Sequence, residues 1–453
     1  METLFHLKEH GTTPKTEIIG GITTFLAMAY ILTINPSILS DSGLPSDSVF
    51  TATCISAAFG TLLMAFFANY PVALASGMGL NAYFSYSVCV PLAKSGVTDP
   101  YTVALTAILV EGIVFVLLTA CKFREALVND VPYNLKLGIT AGIGLFIAIV
   151  GMKGAGIVVN DPDTLLALGD MSTAPVALAL IGFVITGVLH HYKVPGYILL
   201  GILITWILGM IAQACGWYTV NVEAGAASLV PDLSNGLQIA APVFFGFDFS
   251  YVTAHIIEFA VIVFSFLFVD LFDTAGTLIG VASMGGLLDE KGNLPKAKQA
   301  LFADSVATIF GACLGTSTVT SYVESTAGVS AGARTGMASL VTAILFLVAL
   351  PLAPIFLAIP SFATAPALMF VGLLMASSVK NMDFGNDAAA AIPGYLALIM
   401  MPFTYSIANG IMFAVLSYVI IRIAQGKAKN VHPIMWVSAA LFAVRVAQLV
   451  VGF

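Results

Sequence analysis

The stretch Gly315-Thr316-Ser317-Thr318-Val319-Thr320-Ser321-Tyr322-Val323-Glu324-Ser325-Thr326-Ala327-Gly328 sets one carboxylate among small and β-branched residues. Apolar runs of membrane-spanning length lie on both sides of it. A carboxylate at that depth is costly unless it is paired, protonated or in contact with water, so Glu324 is a candidate for function rather than filling. The leading half, Thr318 to Val323, is rich in residues that favour extended backbone. Extended backbone inside a bilayer must be paired within protein or line a wet cavity.

A second stretch has the same character: Tyr70-Pro71-Val72-Ala73-Leu74-Ala75-Ser76-Gly77-Met78-Gly79-Leu80-Asn81-Ala82-Tyr83-Phe84. Each reads as a short strand that turns into a half-helix near the middle of the membrane, and two such strands can pair. The N-termini of the half-helices would then aim partial positive charge at the junction. A site built this way offers backbone N–H groups, backbone carbonyls, carboxylates and the amide of Asn81. Close helix packing is the competing use of Gly77 and Gly79.

Composition fixes the class. Of 453 residues, 59% are hydrophobic and 9% charged, whereas soluble domains are about a quarter charged. The fold class is an all-α polytopic membrane protein. Lys8, Glu9, His10 and Lys15 precede the first apolar run, without the pattern of a cleaved signal peptide, so the first segment is expected to stay in the membrane. The five cysteines are scattered and read as small buried residues. With a net charge of −7 and no long basic run, nucleic acid is not an expected partner. No metal-ligand spacing, phosphate loop or nucleophile–base pair is visible, so neither a cofactor, a metal, ATP hydrolysis nor an enzyme activity is expected.

Fourteen apolar stretches fall near 16–39, 50–69, 71–91, 101–121, 134–157, 172–191, 195–215, 252–274, 299–315, 317–335, 338–357, 359–379, 391–407 and 409–424. A further stretch, 431–452, carries Arg445 near its middle and reads as an interfacial helix. With the N-terminus inside, Lys122, Arg124, His190, His191, Lys193, Lys291, Lys296, Lys298, Arg334, Lys380, Arg422, Lys427 and Lys429 all fall on the inner side, while Lys94 and Lys153 are exceptions. The eighth stretch starts from the side opposite to the first, which permits an inverted repeat of the kind recurrent in secondary transporters.

Asp270 and Asp273 stand in the apolar run Phe264–Asp273, close to one helical turn apart, with Thr277 a turn beyond Asp273 and Gly276 leaving room beside it. Carboxylates crowded in a low-dielectric site can carry a proton through a cycle. The bland alternative is that Asp270 only braces two helices. Asn35, before Pro36, is expected to satisfy backbone groups freed at a helix end, and Asp304 to cap the ninth segment. Tyr405 and Asn409 either line a pathway or serve structure.

These residues carry a resemblance. The stretches Gly21–Ile31 with Asn35-Pro36, Ala75–Ala82, Asp270–Thr277, Ser321–Gly328 and Met401–Gly410 resemble the AzgA-like purine permeases, a branch of the nucleobase–cation symporters, over essentially the whole chain. The resemblance implies the uracil-permease fold: about fourteen segments in two inverted repeats of seven, the third and tenth half strand and half helix. It implies a core domain from 16–121 and 252–357, and a gate domain from 131–215 and 359–424. Asp273 and Glu324 occupy the positions that hold the nucleobase in that superfamily. Thr277 falls where a polar residue follows one turn later, Asn81 matches a position linked to substrate, and Asp270 matches a second aspartate of the family.

The implied activity is import of adenine, guanine or hypoxanthine by proton symport, with sodium as an alternative ion, from the plasma (inner) membrane. A homodimer is implied as well. Asp270, Asp273 and Glu324 are the proton-coupling candidates. Tyr322 and Phe272 join the substrate-binding set, and Phe25, Tyr30, Tyr83 or Phe84 are further candidates to stack on the base. The rival readings are a passive nucleobase channel and an anion carrier of the sulfate-permease type.

Overall fold

The computed structural model describes residues 2–120, 132–220, 229–231, 239–289, 294–385 and 387–451. Cys121, Lys122, Arg124 and Lys291 lie outside the described residues, as do the side chains of Phe272 and Ala275. Among the described residues, nine helices are long and apolar enough to cross a membrane.

The chain opens with α1 (Pro14–Met28) and α2 (Ile31–Ser40), one span interrupted at Ala29-Tyr30. The Thr13 hydroxyl caps α1 by accepting from Thr16 N, and Pro14 takes the first helical position, where no N–H is needed. After α3 (Ser46–Leu63) come strand β1 (Leu74–Ser76) and half-helix α4 (Met78–Ala82). Next are α5 (Pro100–Ala120), α6 (Tyr133–Gly154), the hairpin β2 (Val158–Asp161) and β3 (Leu165–Leu168), α7 (Ala174–His191) and α8 (Tyr197–Ala214). The second half holds α9 (Ile256–Gly285), α10 (Ala297–Leu314), strand β4 (Val319–Ser321), half-helix α11 (Ser325–Ser330) and α12 (Gly336–Ala349). The chain then runs through α13 (Ser361–Ala376), α14 (Ala388–Phe403), α15 (Ile407–Ala424) and α16 (Pro433–Val451).

The helices form two packing groups. In one, α1 lies on α11 and α12, α3 on α10 and α12, and α5 on α9 and α10. In the other, α6 is sandwiched by α13 and α14, α14 packs on α15, and α7, α8 and α13 contact one another. Between the groups, α8 touches α1, α13 touches α2, α4 touches α6, and α9 touches α15.

Strands β1 and β4 pair antiparallel inside the first group, with Leu74 opposite Ser321, Ala75 opposite Thr320 and Ser76 opposite Val319. Gly77 N donates to Thr318 O at 3.0 Å and Tyr322 N to Ala73 O at 2.9 Å, extending the ladder at both ends. A two-stranded sheet leaves two raw edges, and in a bilayer these need partners. Side chains supply them reciprocally. Thr61 on α3 both accepts from Leu74 N and donates to Leu74 O. On α10, Thr308 donates to Val319 O and Asp304 accepts from Ser321 N. Glu111 on α5 accepts from the Thr318 hydroxyl at 2.9 Å, while the Ser339 hydroxyl on α12 lies 2.7 Å from the Tyr70 carbonyl and 3.1 Å from that of Val72, and donates to one of them at a time.

The 431–452 stretch forms α16, which packs on α9 and α15. Phe442 is buried with its ring 5.7 Å from that of Phe264, and Arg445 pairs with Glu258 at 3.2 Å. The hairpin at 158–168 is exposed and polar-tipped, with Asp161 accepting from the backbone of Asp163 and Thr164. No stretch of the sequence announced it.

Candidate functional site

Glu324 sits where β4 gives way to α11, at the N-cap position of the half-helix. Its Oε1 accepts the Tyr30 hydroxyl at 2.5 Å. Tyr30 reaches it from the break between α1 and α2, and α1, ahead of that break, is packed close against α11 at Gly20 and Gly328. A Cβ on Gly328 would lie 2.1 Å from Thr24 Oγ1 and 2.5 Å from Gly20 O, so only glycine allows this approach. Tyr30 is fully buried, while Glu324 keeps partial access to solvent.

Asp273 on α9 is also half-buried, and it lies close enough to Glu324 and Asp304 for their charges to interact. Along its face, a Cβ at Gly276 or at Gly280 would meet nothing within 4 Å, so this side of α9 looks onto open space. Thr277 is buried one turn from Asp273. The Phe272 side chain lies outside the described residues.

Asp270 is wholly buried one turn back. Its Oδ1 is 3.1 Å from the Thr274 hydroxyl, which is also 3.1 Å from each oxygen of Asp304 and 2.7 Å from the Thr320 hydroxyl. One hydroxyl owns one proton. Thr274 therefore serves only one of these acids as donor at a time.

The other predicted residues lie deeper. Tyr322 is spent on the sheet: its hydroxyl donates to Ser76 O at 2.5 Å. Asn81 is fully buried, accepts at Oδ1 from the Ser317 hydroxyl, and leaves Nδ2 without a hydrogen-bond partner among the described residues. It stands beyond the far end of β1 from the residues paired with Ser321, so the strands hold Asn81 and Glu324 off opposite ends of the ladder.

Three expectations need correction. Asp304 is no helix cap: α10 begins at Ala297, and the carboxylate is turned inward to Ser321 and Thr274. Asn35 does not mend the helix end left by Pro36; its Nδ2 donates to the hydroxyls of Thr53 and Thr316. Of the cysteines described, Cys54 and Cys89 are buried, but Cys313 is only half-buried and Cys215 is exposed at the end of α8.

Sequence reasoning also passed over residues that the structure brings in. Glu111 is a fully buried carboxylate in the middle of α5, and the depth argument used for Glu324 applied to it equally. Thr274 and Thr320 carried no signal of their own, because a threonine in an apolar helix usually bonds its own backbone.

Two groups of helices, one of them enclosing a pair of half-strands with acids beside it, define a polytopic membrane transport protein. The Permease family profile matches residues 15–413, and the chain belongs to that family. It is 39% identical to the adenine permease AdeP of Escherichia coli strain K12, over 98% of this chain and 96% of the relative. It is 42% identical to the guanine/hypoxanthine permease PbuO of Bacillus subtilis strain 168, over 98% and 99%. Among solved structures, the transmembrane domain of the cyanobacterial bicarbonate transporter BicA superposes with a TM-score of 0.66 at 15% identity, covering 87% of this chain and 97% of that one. That likeness concerns the fold.

Proposed function

We propose that this protein imports purine nucleobases by proton symport, moving one packing group, the core, past the other, the gate. The observation that carries the reading is the half-buried pair Glu324 and Asp273 beside a hydrogen-bonded pair of half-strands. A purine is flat, neutral and edged with N–H donors and ring acceptors. Carboxylates accept from its N–H groups, and strand-end and half-helix N–H groups donate to its ring nitrogens or oxo group. Relatives that share about two fifths of the sequence are named for adenine, guanine and hypoxanthine.

In this reading Glu324 and Asp273 hold the base, and the Asp270–Thr274–Asp304 chain accommodates the proton. In this reading the protein lies in the plasma membrane with its N-terminus in the cytoplasm, an orientation that most of the Lys and Arg residues favour. One proton driven inward by about 100 mV supplies roughly 2.3 kcal/mol, close to fiftyfold accumulation at tenfold per about 1.4 kcal/mol. An anion carrier on the same fold would want positive ends without an opposing acid, and Glu324 stands at the half-helix N-terminus where the anion would sit.

The test is uptake of radiolabelled adenine, guanine, hypoxanthine, xanthine and uracil into proteoliposomes, in competition, under an imposed proton or sodium gradient. The reading requires purine accumulation above equilibrium that a protonophore abolishes. Uptake that stops at equilibrium and ignores the protonophore points to a channel. Accumulation driven by sodium alone reassigns the ion. Full-rate purine uptake by the Asp273→Ala, Glu324→Ala double variant ends the site assignment.

A further inference from the structure

The acid pair keeps some access to solvent, while the two packing groups shut against each other along α4 and α6. Glu324 and Asp273 are half-buried, and the open face of α9 runs from Asp273 past Gly276 and Gly280 toward the C-terminal end of that helix. At the closed end, a Cβ on Gly79 of α4 would lie 2.7 Å from Ile143 on α6. Beyond it, in the helical turn Tyr83–Cys89 that follows α4, Tyr86 of the core group meets Phe146 of α6 and Tyr405 of the α14–α15 turn. The three rings touch edge to face. Their centroids are 6.5 Å apart for Tyr86 and Phe146, 5.8 Å for Tyr86 and Tyr405, and 5.2 Å for Phe146 and Tyr405.

Each side of this cluster is held by its own packing group. The Tyr86 hydroxyl donates to Asp41 Oδ2 at 2.8 Å, at the end of α2. On the gate side, Lys153 Nζ at the end of α6 lies 4.9 Å over the Tyr405 ring. Tyr405 has a φ of 51°, in the left-handed region that bulky residues seldom adopt. Backbone strain of that kind gathers at sites where a fixed ring has a use. Between the groups the contact is ring against ring, with one hydrogen bond at the same level, from Ile407 N to Ser87 Oγ at 3.2 Å. Such contacts exclude water, yet each is weak enough to part, and parting them separates no paired charges.

We propose that Tyr86, Phe146 and Tyr405 are the outer gate of the transport path, the rings that part to let a base reach the acids from outside. The orientation taken above puts the ends of α2 and α6 on the outer side and the C-terminal end of α9 on the inner side. In this structure the gate is shut and the acids are reached from within. A flat aromatic solute suits a gate of rings, because on passing it replaces one ring contact with another. Tyr405 is thereby assigned to the pathway. This inference rests on the purine reading and adds to it the residues that close the outer side.

The experiment pins the gate shut. Tyr86→Cys and Tyr405→Cys are combined in the full chain and bridged with a short, cleavable bifunctional thiol reagent. Each single variant, treated alike, controls for reaction at native cysteines such as the exposed Cys215. Bridging is expected to abolish uptake of adenine, guanine and hypoxanthine into proteoliposomes, and cleavage of the reagent to restore it. Equilibrium dialysis of the bridged chain in detergent shows unchanged binding of the same bases, because the acids stay open at the inner end. Full-rate uptake by fully bridged protein overturns the gate and leaves the purine reading standing. Loss of binding in step with uptake overturns it as well, since the rings then act on the binding site itself. A second measurement needs no bridge. In cells, a membrane-impermeant maleimide added outside labels Ser87→Cys several-fold faster once Tyr405→Leu is added, and an unchanged rate overturns the gate. If the wild-type chain neither binds nor moves any of the three bases, the purine reading falls and the gate with it.

Discussion

The Tyr30 hydroxyl donates to Glu324 Oε1 at 2.5 Å across 294 residues of sequence. One oxygen of the acid is thereby fixed and the other is left to the site. The contact joins the break in the first span to the start of the second half-helix, so the direction of the carboxylate is set by two elements rather than by its own loose torsions. Leu26, one turn before the break, abuts Gly196 at the head of α8, where a Cβ would come within 2.9 Å of Leu26 O. The same span therefore touches both the acid and the opposite packing group.

Tyr30→Phe removes the bond and little else. Hydrogen bonds to charged groups are worth about 1.5–3 kcal/mol, and loss of an oriented acceptor falls on substrate affinity. The half-saturating purine concentration is expected to rise roughly tenfold, as about 1.4 kcal/mol gives, with the maximal rate largely kept. Tyr322→Phe is the control, because its hydroxyl serves the Ser76 carbonyl within the sheet. Initial-rate uptake across a concentration series separates the two.

Thr274 stands between Asp270, Asp304 and Thr320. Thr274→Val keeps the shape and strips the hydroxyl from two acids, and is expected to lower stability by about 1–3 kcal/mol and to abolish accumulation driven by a proton gradient. Thr274→Ser restores the hydroxyl and most of the accumulation. Thermal unfolding in detergent and gradient-driven uptake, measured on the same preparations, report the two effects.

Glu111 braces the entry to β4 through Thr318. Glutamine retains an oxygen that accepts from the Thr318 hydroxyl, so Glu111→Gln is expected to keep near-normal stability and uptake. Glu111→Leu leaves Thr318 without its partner at a buried position, a loss of about 1–3 kcal/mol. Equal damage from both changes, seen in thermal unfolding, would show that the charge and not the acceptor matters.

Gly328 tests the seat of Tyr30 over Glu324. Adding a methyl group drives a Cβ into Thr24 Oγ1 and Gly20 O at 2.1 and 2.5 Å. Overpacking of this kind costs about 1–3 kcal/mol, and it lifts α1 off α11. Gly328→Ala is expected to lose both stability and purine affinity. Gly280→Ala, inside α9 with nothing within 4 Å of the added Cβ, should hold or raise stability, by up to about 1 kcal/mol. Thermal unfolding and uptake of the paired variants check the contrast.

The class of protein and its two odd segments follow from the order of residues alone. Apolar runs of fixed length, few charges, and β-branched residues leading into glycine and a carboxylate are local signals, and the bilayer gives each one structural meaning. Asp273 and Glu324 were legible as candidates for that reason: a charge in hydrocarbon stands out wherever the chain folds. The partners of these groups came only from folding. That Tyr30 holds Glu324, that Thr274 joins Asp270 to Asp304, that Asp304 faces inward and that Asn81 turns to Ser317 all depend on contacts between residues distant in sequence. Hydroxyls and amides are cheap enough to appear anywhere in a buried helix, so their use is written only in what packs against them.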